Sequence, residues 1–168
     1  MNHLTLSAIG LSALIAGVTF PREEAAAQMA KDVVGSWTIV SATNERNGQK
    51  YEPYGPNPIG SLMLDGRRFS IIILRSNRPK FASNDREKGT PEENQATVHG
   101  SIAYFGTYTV NEADKTLLLH VEGSTFPNWE GADQKRLITA VGDELRYTNP
   151  TPSGGGGGTA QLVWKRAK

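Results

Sequence analysis

The chain has 168 residues, 38% of them hydrophobic and 21% charged, with 18 glycines, 9 prolines and no cysteine. That is room for one modest domain, and it excludes disulfides, a CxxC redox pair, a thiolate nucleophile and a cysteine-ligated zinc site. Lys+Arg is 18 against Asp+Glu 17, a formal net charge of +1 without a basic stripe, so nucleic acid held through phosphate contacts is not an expected partner.

From Leu4 to Phe20 the chain is apolar and small, and Ala25, Ala26 and Ala27 follow with the pattern of a signal-peptidase site. Residues 1–27 therefore read as an export signal and 28–168 as the mature domain. A periplasmic or secreted protein is expected, with no stable membrane span once the signal is removed. An uncleaved anchor is the competing reading of the same run.

Beyond Asp32 apolar and polar residues alternate with period two, broken by turn residues. Strands are expected near 35–42, 59–64, 68–75, 102–110, 115–122, 134–141, 143–149 and 159–166. About eight strands in meander order suggest an all-β fold, an eight-stranded antiparallel up-and-down barrel. Connection lengths alternate. Asp65-Gly66-Arg67, the run 111–114 and Gly142 are tight, whereas 43–58, 76–101, 123–133 and 150–158 are long. Successive connections in a meander fall at opposite ends, so one end should be closed and the other should be a mouth rimmed by long loops. Within the longest loop, Thr90-Pro91-Glu92-Glu93 has an N-cap, a proline at the first helical position and a capping-box glutamate, predicting a short helix over 91–98 as a plug or a lid.

Gly35-Ser36-Trp37 resembles the Gly-x-Trp motif that opens the first strand of the lipocalins. The segments 54–63, 78–110, 122–136 and 162–166 are similar, over nearly the whole chain after the leader, to the bacterial and fungal lipocalin-like domain proteins. The resemblance implies an eight-stranded barrel around a cavity, in a family whose biochemical activity is generally unassigned. Some similar barrels bind hydrophobic small molecules, and a few act as cyclases or isomerases. It also implies that Arg166, on the last strand, lies against Trp37 at the closed end, with Gly35, Trp37 and Arg166 in structural roles.

Alternation assigns the ligand-facing candidates. Trp37, Ile39 and Ser41 share one face, as do Phe69, Ile71, Ile73 and Arg75, with Arg75 at the mouth as an anchor for an anionic group. Ile102, Tyr104, Gly106 and Tyr108 share another. On the fifth expected strand Leu118, His120 and Glu122 oppose Leu117, Leu119 and Val121, and alternation leaves open which set is internal. With the first set inside, His120, Glu122 and Arg136 form a polar cluster above an apolar floor, suited to a small hydrophobic or amphipathic molecule. Tyr54 and Trp129, on the long loops, are candidates to stack on it at the mouth.

Catalysis has only weak candidates, His120, Glu122 and Tyr104, for an isomerase or cyclase reading. His120 and Glu122 alone do not make a metal site, and no metal is expected. The glycines 154–158 lack the Lys-Ser/Thr and helix of a phosphate loop; they predict a mobile mouth loop, and no cofactor is expected. The remaining alternative is a solid barrel, filled by Trp37, Phe69, Tyr104, Tyr108, Tyr147 and Trp164, that meets protein partners the sequence does not identify.

Overall fold

A computed structural model describes residues 29–153 and 157–168. The leader and the first three glycines of the 154–158 run lie outside the described residues. A helical turn over 29–33 leads into β1 (Gly35–Arg46), β2 (Gln49–Tyr51), β3 (Ile59–Leu64), β4 (Arg68–Leu74), the helix α1 (Pro91–His99), β5 (Ser101–Asn111), β6 (Thr116–Ser124), β7 (Asp133–Val141), β8 (Glu144–Asn149) and β9 (Thr159–Arg166). Short 3-10 turns cover Arg86–Lys88 and Pro127–Trp129. Among the described residues no helix is long and apolar enough to cross a membrane.

Leaving β2 aside, each strand pairs antiparallel with the next, β1 with β3 and so on to β9, and β9 returns to β1 from Trp37↔Arg166 to Glu45↔Thr159. The result is a closed eight-stranded barrel of the up-and-down type, in which β2 extends the sheet beside the far half of β1. Closure leaves few unpaired backbone edges. The extra strand β2 belongs to a segment read from sequence as a loop. Asn47 (φ 52°) and Gly48 (φ 74°) make its hairpin turn, and Asn-Gly is the dipeptide suited to two successive positive φ values.

Period-two burial holds along every long strand, because a residue is either inside the barrel or in water. Two bulges reset the phase. Val40 is an extra residue on β1 between Ile39↔Trp164 and Ser41↔Val163, and Glu122 is an extra residue on β6 between Phe105↔Gly123 and Gly106↔Val121. The first corrects the expectation for Ser41. Beyond Val40 the buried residues are Ala42 and Asn44, and Ser41 is only half-buried.

The tight turns 65–67, 112–115 and 142–143 gather at one end, and the long connections at the other. At the closed end Trp37 is fully buried and its indole Nε1–H donates to the Val33 carbonyl at 3.0 Å. The Arg166 guanidinium stands 4.2 Å from the Trp37 ring centroid. It also donates to the carbonyls of Val34 (3.0 Å) and Asp32 (2.8 Å), so one side chain closes the barrel floor and holds the N-terminal turn. Gly35 makes this possible. Its φ is +141°, and a Cβ there would lie 2.6 Å from Arg166 Nη1.

At the mouth, α1 begins as the sequence suggests. Thr90 Oγ1 accepts from the Glu93 N–H at 3.2 Å, and Glu93 Oε2 accepts from the Thr90 N–H at 2.9 Å. No residue of α1 is buried, so it does not plug the barrel; it stands beside the mouth as a wall.

Candidate functional site

The lower half of the barrel is solid. Trp37, Phe69, Tyr108 and Trp164 are all buried there, and Tyr108 is held in place because its hydroxyl accepts the Gly66 N–H at 2.9 Å. Open space begins above them. A narrow cavity of about 50 Å³ is walled by the phenol rings of Tyr54, Tyr104 and Tyr147, the amides of Asn44 and Asn149, the indole of Trp129 and aliphatic residues such as Ile73 and Leu162. Beside it lies a vestibule of about 470 Å³ bounded by Arg46, Tyr51, Phe126, and Val98 and His99 of α1. Asn44, Pro53, Tyr54, Ile102 and Ser153 line both, so the two spaces adjoin.

An aromatic chain runs down this shaft. Phe126 meets Trp129 edge-on at 5.8 Å, Trp129 meets Tyr104 at 5.0 Å, and Tyr104 meets Phe69 at 5.7 Å. The Tyr104 and Tyr147 hydroxyl oxygens lie 3.4 Å apart. Burial, reinforced by the neighbouring phenols, pushes the Tyr54 and Tyr147 hydroxyls above the ordinary tyrosine range, so both stay protonated and available as donors. Behind Tyr147 lies Arg136, with 1% of its surface exposed and its guanidinium 6.0 Å from the Tyr147 ring centroid. It donates to Gln134 Oε1 and, at 3.0 Å, to the Lys135 carbonyl, while its Nε is buried without a partner.

Phenol and amide groups set among aliphatic and aromatic side chains suit orientation of a small molecule that has both polar and apolar parts. The profile of the lipocalin-like domain family matches residues 34–167. The chain belongs to this family. It is also similar to the 4'-hydroxy-3'-methoxypropiophenone carrier protein of Aspergillus oryzae (strain ATCC 42149 / RIB 40), with 29% identity over 105 residues that cover 58% of this chain and 95% of that protein. No solved structure matches.

The lipocalin-like barrel sorts the sequence candidates by depth and by face. Tyr54, Tyr104 and Trp129 line the cavity, and Arg136 lies in the interior next to it. Tyr108 faces inward but sits at the closed end, tied to the 65–67 turn and away from the open space. Arg75 does not line the cavity either. Its Nη2 donates to the Pro53 carbonyl at 2.7 Å and its backbone N–H to the Gly100 carbonyl at 2.7 Å, so it straps two mouth loops to β4.

His120 and Glu122 are corrected outright: both face outward. The interior of β6 is filled by Leu117, Leu119 and Val121, since turning that strand over would bury an imidazole and a carboxylate and expose those three aliphatic side chains. His120 Nδ1 instead lies 2.7 Å from Asp133 Oδ1, and Glu122 forms a 2.6 Å ion pair with Arg68. The expected polar cluster of His120, Glu122 and Arg136 therefore does not form, and the first two are removed from any acid–base role in the cavity.

Sequence reasoning missed Asn44 and Asn149 as lining residues. Asn44 is brought inside only by the Val40 bulge, whereas Asn149 lies two and four residues beyond Tyr147 and Leu145 on one face, a signal that alternation carried.

Proposed function

We propose that this lipocalin-like protein binds a small hydrophobic or amphipathic molecule bearing hydrogen-bonding oxygens, held in the mouth half of the barrel. The supporting observation is a phenol- and amide-walled shaft that shares five lining residues with an adjoining vestibule of about 470 Å³, above a packed floor. The ligand enters ring-first or head-first from the vestibule and widens the shaft by moving Trp129 and Tyr54, the two lining aromatics supplied by loops rather than strands. Tyr104, Tyr147 and the two asparagines supply the oriented polar contacts. Similarity to a protein named as the carrier of an oxygenated aryl ketone agrees with this chemistry. Residues 1–27 are part of the proposal as an export signal, placing the mature barrel in the periplasm or outside the cell.

The experiment is native mass spectrometry of the protein purified gently from its own host, followed by solvent extraction of anything retained. A stoichiometric organic adduct and a mature chain beginning at Gln28 are expected. The solid lower half and the narrowness of the shaft favour one competing reading, a filled barrel that meets other proteins through its loops. An adduct-free mass, together with no saturable quenching of tryptophan fluorescence by small aromatic compounds, would decide for that reading.

A further inference from the structure

Arg136 is the one residue of the interior whose charge the described residues do not balance. A guanidinium with 1% exposure is ordinarily retained only beside an anion, because taking it out of water is expensive. Its partners here are neutral: the Gln134 side-chain oxygen, the Lys135 carbonyl and the face of Tyr147. The carboxylates on the strands around it are spent elsewhere. Glu122 on β6 pairs outward with Arg68, Asp133 on β7 with His120, and Glu144 on β8 with Arg146. Tyr147 does not supply the missing charge, since burial holds its hydroxyl protonated.

The geometry relates this charge to the cavity. Tyr147 belongs to both: the guanidinium lies 6.0 Å from its ring centroid, the residue lines the cavity, and its hydroxyl lies 3.4 Å from that of Tyr104. Two phenolic O–H groups side by side, with a fixed positive charge behind one of them and no carboxylate paired with that charge among the described residues, make a place where a pair of oxygens carrying negative charge is favoured over a neutral oxygen, and a cation is disfavoured.

We propose that the cavity selects an aromatic ligand with an ionised acidic head, a carboxylate or an acidic phenolate. Its anionic oxygen accepts hydrogen bonds from Tyr104 and Tyr147 and neutralises the buried charge of Arg136. This deepens the binding reading above and rests on it. Arg136 acts through Tyr147 and through its field, as a positioning residue, without lining the cavity itself.

Three probes of one ring size separate the two ideas: benzoate, acetophenone and benzylamine, titrated against the full-length mature protein by tryptophan fluorescence and calorimetry. Benzoate is expected to bind about tenfold or more tightly than acetophenone, and benzylamine more weakly than either. Arg136→Met should erase the benzoate preference while changing acetophenone affinity little, and Arg136→Lys should retain it. Replacement of a buried charge by an aliphatic of similar volume is often tolerated by a fold. A measurement on the unaltered protein covers the case in which it is not. Para-nitrophenol absorbs differently when ionised, and its bound form should ionise at lower pH than the free probe. Equal affinity for benzoate and acetophenone, or a bound nitrophenol that ionises at higher pH than the free one, overturns the charge selection and leaves the binding reading intact. Failure of all of the probes to bind overturns both.

Discussion

The two ends of the barrel are built from the same strands and differ in what their polar groups do. At the floor, most polar side chains are consumed by the fold: the Trp37 indole by Val33, the Arg166 guanidinium by Val34, Asp32 and the Trp37 ring, the Tyr108 hydroxyl by Gly66; the Trp164 indole N–H is the exception, buried without a hydrogen-bond partner. At the mouth, the hydroxyls of Tyr104 and Tyr147 find little beyond each other, and Arg136 Nε has no partner. A buried polar group left with spare capacity is costly, and under the proposed function a ligand completes the bonding at the mouth. On the proposed reading, the floor gives stability and the mouth gives recognition.

Exchanging tryptophans is the most severe way to test that division. Trp37→Ala removes a fully buried ring and its hydrogen bond, and should lower unfolding stability by about 3–5 kcal/mol in urea denaturation. The same change at Trp129, half-buried on a loop, should cost about 1–2 kcal/mol and instead accelerate ligand exchange, read by stopped-flow fluorescence. Equal losses at the two positions would erase the distinction.

A smaller perturbation sharpens the account of the floor. Gly35→Ala places a methyl on the Arg166 guanidinium and forces a backbone angle that side-chain-bearing residues rarely adopt, for an expected loss of about 1–3 kcal/mol. The displaced guanidinium should also alter Trp37 emission. Ligand affinity at the far end should be unchanged, and a loss there would show that the two ends are coupled.

The mildest test is alkaline pH. Tyr54 and Tyr147 titrate above their ordinary value of 10.0 when folded, because burial opposes the phenolate. The unfolded chain releases those protons first. Stability is therefore fully present below about pH 10 and declines as pH rises toward the folded values. The urea midpoint should fall between about pH 9 and about pH 11, and Tyr147→Phe should make that fall shallower. An unaltered slope in the variant would mean that Tyr147 is hydrated in solution.

Much of this frame was legible in the residues. The strands 59–64 and 159–166 have the bounds read from alternation, and the capping box at Thr90 marked α1. The alternation of short and long connections located the mouth. What escaped was phase. A period-two pattern assigns faces only until an extra residue intervenes, and neither Val40 nor Glu122 advertises itself as a bulge. For that reason alternation alone places Ser41 inside and misses Asn44. His120 illustrates a second limit. Its strand carries aliphatic residues on both faces, Leu118 outside and Leu117, Leu119 and Val121 inside, so composition weakly separates them.

Local chemistry, then, was sufficient for the strand order, the closed and open ends, the helix start and the inward face of β5 with Tyr104, since each depends on neighbours in sequence and on a fixed side-chain period. Tertiary structure alone decided which face of β6 is internal, how far the floor is filled, and that Arg136 is buried without a carboxylate. Those depend on closure of β9 onto β1, which forces every strand to commit one face to a limited volume. The residues competing for that volume are far apart in the chain.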